Sequence, residues 1–270
     1  MSEILKCEGL TKRYSGGCTA LSDINLTCES GRIIGLMGPN GSGKTTLIKL
    51  AEKLLVPTSG SITVAGMTPG VETKKIVSYL PDTDFFGDWM KAGDALDYFE
   101  DFFGKAGDAA NMRNPGNIGN TADAESAESI ETAGGGAGTG GFDRRRALDM
   151  MSRLGLQEQD RIKQMSKGTR EKLQLILAMS RRARLYLLDE PIGGVDPATR
   201  DFILHTILAN YDENATILIS THLITDVESI LDEVIFLNRG QVSLHTTVDD
   251  IRKQQGMSVN DYFREVFRCY

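Results

Sequence analysis

Residues 38–46 read Gly38-Pro39-Asn40-Gly41-Ser42-Gly43-Lys44-Thr45-Thr46, a match to the pattern G-x-x-x-x-G-K-[ST]. In this pattern the glycines let backbone N–H groups turn inward around phosphate oxygens. Gly38, Asn40, Gly41, Ser42 and Gly43 form the wrap, and Lys44 adds a point charge for the outer phosphates. Thr45 is placed to offer a hydroxyl to Mg²⁺. Together with Thr46 it opens a helix whose positive dipole end faces the same anion. Arg32–Met37 (RIIGLM) reads as a buried strand before the loop. Leu47, Ile48, Leu50 and Ala51 read as the apolar side of a helix after it. Strand, glycine-rich turn and helix in that order are the context the pattern requires.

The bulk numbers set limits around this stretch. A chain of 270 residues with 40% hydrophobic and 25% charged residues has the composition of a soluble globular protein with a real core. Its net charge of -7 and pI near 5.1 provide no basic field, so nucleic acid is not an expected partner. Cys7, Cys18, Cys28 and Cys269 are scattered without a C-x-x-C pair, as in a reduced cytosolic chain. No apolar run approaches the roughly 20 residues of a membrane span, and Met1–Thr11 lacks a signal-peptide pattern. If the chain works at a membrane, another chain is expected to hold it there.

Outward from the loop, Ile4–Leu10 and Leu21–Cys28 read as strands flanking Tyr14, Ser61–Ala65 as another, and Ile76–Leu80 as a fourth that runs into Pro81-Asp82-Thr83-Asp84. Seven aromatic side chains then crowd into residues 85–103. Asp94–Phe103 reads as helical, and Phe85, Phe86 and Trp89 lie in a turn where partial exposure to a partner is expected. Residues 104–141 are dominated by Gly, Ala, Asn, Ser and Thr and hold Met112, Ile118 and Ile130 as their large apolar side chains. Such a segment buries too little to offset chain entropy and is read as a disordered insertion. Order returns with Ala147, Met150, Met151 and Leu154 at helical spacing and a stop at Gly155. A buried helix over Thr169–Arg182, a strand at Leu185–Leu188, a helix near Pro197–Asn210, a strand at Thr216–Ser220 and a helix near Ile224–Leu231 follow. A hairpin of Val234–Leu237 with Gln241–His245 and a helical tail at Ser258–Phe267 complete the chain. The alternation implies an α/β fold with a mainly parallel sheet.

The chemistry needs a carboxylate for the metal and a group to activate water. Asp189 ends a buried strand, where open α/β sheets present their ligands, and Glu190 beside it can serve as general base. His205 and His245 lack comparable company.

With these motifs in register, the chain resembles an ATP-binding-cassette (ABC) ATPase, the nucleotide-binding subunit of an ABC transporter. The likeness covers nearly all of the chain except 104–141. Tyr14 stands where the family carries an aromatic that stacks on adenine, and Met165-Ser166-Lys167-Gly168-Thr169 stands in place of its Leu-Ser-Gly-Gly-Gln signature. Gly193-Gly194-Val195-Asp196-Pro197 resembles the D-loop, and Ser220-Thr221-His222 the switch histidine. The resemblance implies a P-loop cassette with an antiparallel N-terminal β part and a helical subdomain. Its division would be 1–87 and 183–247 as ATP-binding core, 88–182 as helical subdomain, and 248–270 as tail. It further implies ATP and Mg²⁺ as cofactors, with Thr45, Asp82 and Asp189 on the metal and Lys44, Glu190 and His222 at the reacting phosphate. Ser166 and Gly168 would reach a second subunit's ATP in a head-to-tail dimer, and an integral-membrane permease would hold the pair at the inner face of the membrane.

Positions in three motifs depart from the family pattern. Asp82 stands where the family usually has glutamine: it can still ligate a metal through oxygen, but it cannot donate a hydrogen bond. Lys167 replaces a glycine, with Thr169 in place of glutamine; the lysine either faces ATP across the dimer interface or projects into solvent. The D-loop's leading serine is also replaced, by Gly193. The expected function is an energising subunit for a permease, export being favoured by the compact tail. A soluble cassette ATPase of DNA maintenance or translation, and an ATP-dependent switch with low turnover, are the alternatives.

Overall fold

The computed structural model describes residues 2–104 and 140–267. The described residues form two sheets with helices packed against them. The strand before the phosphate loop, β3 (Ile33–Met37), is buried along its whole length because it lies in the middle of a six-stranded sheet. Its companions are β5 (Val77–Leu80), β6 (Leu185–Asp189), β7 (Thr216–Thr221), β8 (Glu233–Asn238) and β9 (Gln241–Thr247), in the order β5-β6-β7-β3-β8-β9. All neighbours are parallel except β9, which pairs antiparallel with β8 through a turn where Arg239 and Gly240 both take positive φ. A separate antiparallel sheet joins β1 (Glu3–Arg13) to β2 (Thr19–Glu29) and β4 (Ser59–Val64), in the order β2-β1-β4. The chain is thus an α/β fold with a mainly parallel sheet and an antiparallel N-terminal part.

Side chains alternate across the parallel sheet and feed two cores. On one face, Ile34, Leu36, Leu187, Leu218 and Ile235 meet the apolar side of α1 (Lys44–Ala51) and the inward residues of the antiparallel sheet. On the other, Met37, Leu188, Ile217, Ile219 and Phe236 meet α6 (Pro197–Ala209) and the C-terminal α8 (Val248–Gln255) and α9 (Val259–Phe267). A third apolar cluster joins α3 (Ala92–Phe103), α4 (Arg144–Arg153) and α5 (Lys167–Met179) around Leu96, Phe142, Met151 and Leu173. Caps fix where the helices begin: Asp143, Ser166 and Asp196 each accept a hydrogen bond from the backbone N–H three residues on.

Several elements differ from the sequence expectation. The expected helix at Thr169–Arg182 begins earlier, because Ser166 caps it, and stops at Met179. Arg181 then turns inward, donating to the carbonyls of Val77 and of Lys74 (2.8 Å) and stacking 3.5 Å from the Phe103 ring centre. The helix expected at Ile224–Leu231 is a single α-turn, α7 (Ile224–Val227), continued by a 3₁₀ turn to Ile230. A short α2 (Val71–Ile76) and α8 arise where no long apolar period marks them. Of the expected insertion 104–141, residues 105–139 lie outside the described residues, as do 268–270 of the tail. The insertion's two borders meet: Phe142 N–H donates to Gly104 O at 2.8 Å. Of the aromatic group, Phe85 and Trp89 are exposed as anticipated. So are Tyr98 and Phe102, which stack on each other along the outer side of α3.

Candidate active site

The phosphate loop is seated by glycines. Gly43 precedes α1 at φ 110°, and a side chain there would meet Ala20 O at 2.6 Å, so only glycine fits. The Lys44 side chain is 6% exposed and folds back over the loop, its Nζ donating to Gly38 O at 2.9 Å. Thr45 Oγ1 donates to Asp189 Oδ1 at 3.2 Å, joining the start of α1 to the end of β6.

Ser220, near the end of β7, fastens both acidic residues at the end of β6, Asp189 by its carboxylate and Glu190 by its backbone N–H. Its hydroxyl donates to Asp189 Oδ1 at 2.5 Å and accepts from Glu190 N–H at 3.0 Å, while its carbonyl accepts from the same N–H. Glu190 sits at φ 49°, a left-handed conformation unusual for glutamate, and these bonds keep it there. Its side chain is thereby aimed between two basic groups: Oε1 lies 3.6 Å from Lys44 Nζ and Oε2 lies 2.9 Å from His222 Nδ1. Asp189 is fully buried, and burial raises its pKa above the ordinary carboxylate range. Hydrogen bonds from Ser220 and Thr45 oppose that rise, and the charges of Asp82 and Glu190 add to it.

Tyr14 is 40% exposed, and its hydroxyl lies 3.3 Å from Thr46 Oγ1, so its ring stands at the rim of the phosphate loop. Asp82 is exposed in the turn after β5, and its charge bears on Asp189. That turn is fastened to α5: Gln174 donates to Thr83 O at 3.1 Å, and Arg170 pairs with Asp84 at 3.0 Å.

The signature stands apart from this cluster. Ser166 spends its side-chain bonds on the first turn of α5, accepting from Thr169 N–H at 3.1 Å and meeting Thr169 Oγ1 at 2.8 Å. Gly168 lies close to Asp196 and Thr199 at the start of α6, so signature and D-loop are neighbours within one chain. Lys167 is 69% exposed, so much of its side chain lies in solvent. Its Nζ is 3.6 Å from Glu171 Oε1 and would lie 3.2 Å from a side chain at Gly194, so it leans over its own D-loop. The expected residues therefore form one group around Lys44, Thr45, Asp189, Glu190 and His222, with Tyr14 at its rim, and a second around Ser166 and Gly168. Sequence reading missed Ser220 as the shared fastening; its one signal was a small hydroxyl closing an apolar strand beside Asp189.

The donor set can be tested for Mg²⁺. Among the described residues, no group of three or more His, Cys, Asp or Glu gathers as a protein-only metal cage. Mg²⁺ does not need one, since it is commonly held by one or two carboxylates plus phosphates and water. Asp189 Oδ2 is buried with no hydrogen-bond partner, beside the Thr45 hydroxyl. An orphaned carboxylate oxygen and a hydroxyl at the mouth of a phosphate loop fit that ion.

A protein-family model described as "ABC transporter" matches residues 21–193. The uncharacterized ABC transporter ATP-binding protein YdbJ of Bacillus subtilis is 30% identical over 251 residues, covering 91% of this chain and 70% of that protein. The linearmycin resistance ATP-binding protein LnrL of the same organism is 25% identical, covering 94% and 72%. The dimeric structure of a post-hydrolysis state of the ATP-binding cassette MJ0796, bound to ADP and Pi, has the same fold: TM-score 0.66, 20% identity, 90% of this chain and 98% of that one. Among the described residues, no helix is long and apolar enough to cross a membrane. With a family match over well more than half of its length, the chain belongs to the ABC transporter family, as one of its ATPase cassettes.

Proposed function

We propose that this chain binds and hydrolyses ATP as the energising subunit of a transporter, working in a dimer on the cytoplasmic face of a separate membrane permease. The observation that carries the reading is Glu190, pinned by Ser220 and bracketed by Lys44 and His222 at the phosphate loop. A carboxylate so held can accept a proton from water attacking the outer phosphate, with Lys44 and His222 positioned for the charge that develops there. Bound Mg²⁺ would be held by Thr45 and Asp189, with Asp82 facing the same corner, and would supply neutralisation of the phosphate charge. Tyr14 would stack on the base of the nucleotide.

The absence of any bond between the two groups, among the described residues, supports a dimer. Ser166 and Gly168 begin α5, whose N-terminal dipole favours an anion, yet their contacts stay within their own corner of the chain. A second subunit turned head to tail would bring them to the other's ATP, and a cassette of the same fold described as dimeric is in keeping with pairing. The exposed Phe85 and Trp89 are the surface we assign to the permease. The division into core (1–87, 183–247), helical subdomain (88–182) and tail (248–270) is our reading of how the parts move. Export is the direction we favour, because a relative named for linearmycin resistance matches over most of its length, though one named for manganese transport matches as well.

Glu190→Gln tests the reading. Loss of the base lowers steady-state ATPase by about 10²–10⁴-fold, while ATP binding persists and an ATP-dependent dimer accumulates on size-exclusion chromatography. Turnover equal to wild type would remove Glu190 from the chemistry and leave a binding switch as the better account.

A further inference from the structure

Tyr79 has no part in the chemistry above, yet it lies on the strand next to Asp189 and on the same face of the sheet. It lies in β5, in register with Leu187 of β6. Leu187 and Asp189 point to the same face of β6, two residues apart, so the Tyr79 ring lies beside the path that ends at Asp189. That face is the one covered by α1, and the ring packs against its apolar cluster. The Tyr79 hydroxyl is buried and has no hydrogen-bond partner; Asp189 Oδ2 is in the same state. One is a donor without an acceptor and the other an acceptor without a donor, and buried groups seldom go unpaired without a reason. Burial, followed by the charges of Asp189, Asp82 and Glu52, holds the phenol in its protonated, donating form.

We propose that Tyr79 is a positioning residue for the metal corner: its O–H is the donor that orients a water lodged against Asp189 Oδ2 when Mg²⁺ and nucleotide are bound. The inference rests on the ATPase reading above. It gives the orphaned Tyr79 hydroxyl an acceptor, and it gives the corner a neutral donor that Asp82, as a carboxylate, does not supply.

Tyr79→Phe removes the hydroxyl and keeps the ring. Binding of a fluorescent ATP analogue to the full chain is measured in EDTA and across a Mg²⁺ titration, beside ATPase against Mg²⁺. The affinity in EDTA is expected to stay within about twofold of wild type, while the Mg²⁺ concentration that half-saturates binding rises about five- to tenfold, the scale of one lost hydrogen bond. Glu52→Gln serves as the control and leaves the titration in place. A wild-type Mg²⁺ titration in Tyr79→Phe would overturn the proposal. The same displacement in Glu52→Gln would also overturn it, by assigning the phenol to Glu52. A wild-type chain without Mg²⁺-dependent turnover would refute the ATPase reading instead, and the binding titration would still decide on Tyr79.

Discussion

Glu52 offers a direct test of how burial sets stability at the far end of the phosphate-loop helix. It is the C-cap residue of α1, and one of its carboxylate oxygens is buried without a partner. Burial pushes its pKa up from 4.5 to about 7, against the opposing charges of Lys74 and Arg181. Between these values the folded chain holds a proton that the unfolded chain has released. Stability is therefore full below about pH 4.5 and falls as pH rises toward 7, then levels off. A shift of this size corresponds to roughly 3 kcal/mol, at about 1.4 kcal/mol per pKa unit. For a chain of this size that is on the order of 6–12 °C in Tm. Glu52→Gln keeps the shape of the protonated acid and cannot ionise. At pH 5, just above the unfolded value, it should already be slightly more stable than wild type, and the gap should widen up to pH 7.5, with a constant difference beyond. Thermal unfolding of both proteins in half-unit steps from pH 5 to 8.5, at fixed ionic strength, reads this out. Parallel Tm curves would refute the reasoning and show that Glu52 is ionised in the folded protein throughout.

Two other outcomes are expected. Asp82→Asn keeps a carbonyl oxygen but removes a charge that bears on Asp189, and it should lower turnover about tenfold while raising the Mg²⁺ requirement, on the scale of one weakened charged contact; an unchanged Mg²⁺ profile would strike Asp82 from the metal ligands. Replacing residues 105–139 by a short glycine linker should leave ATPase and Tm unchanged, because Phe142 already bonds to Gly104 across the base of the segment; loss of either would give the segment a role in folding or assembly.

The core of the fold was legible because its signals are local. An apolar run, a glycine-rich turn and an apolar helix face are all read within residues 32–51, and Asp189 announces itself at the end of an apolar strand. What the sequence could not convey depends on tertiary neighbours. Ser220 looks like any strand-end serine until β6 and β7 are paired. Arg181 belongs by pattern to the end of a helix, but backbone carbonyls and an aromatic ring draw it out of that helix. Lys167 is largely in solvent, but its approach to Glu171 and Gly194 is visible only once α5 and the D-loop lie side by side.

Ser220 has a consequence for how such a site can change over time. A single hydroxyl touches both acids, as acceptor to the backbone of Glu190 and donor to the side chain of Asp189. Neither acid can be retuned without disturbing the other, so the pair behaves as one inherited unit. Variation in rate or metal preference must then enter through less constrained neighbours. Neither Asp82 nor Lys167, two of the positions where this chain leaves its family's pattern, is bonded to that hydroxyl.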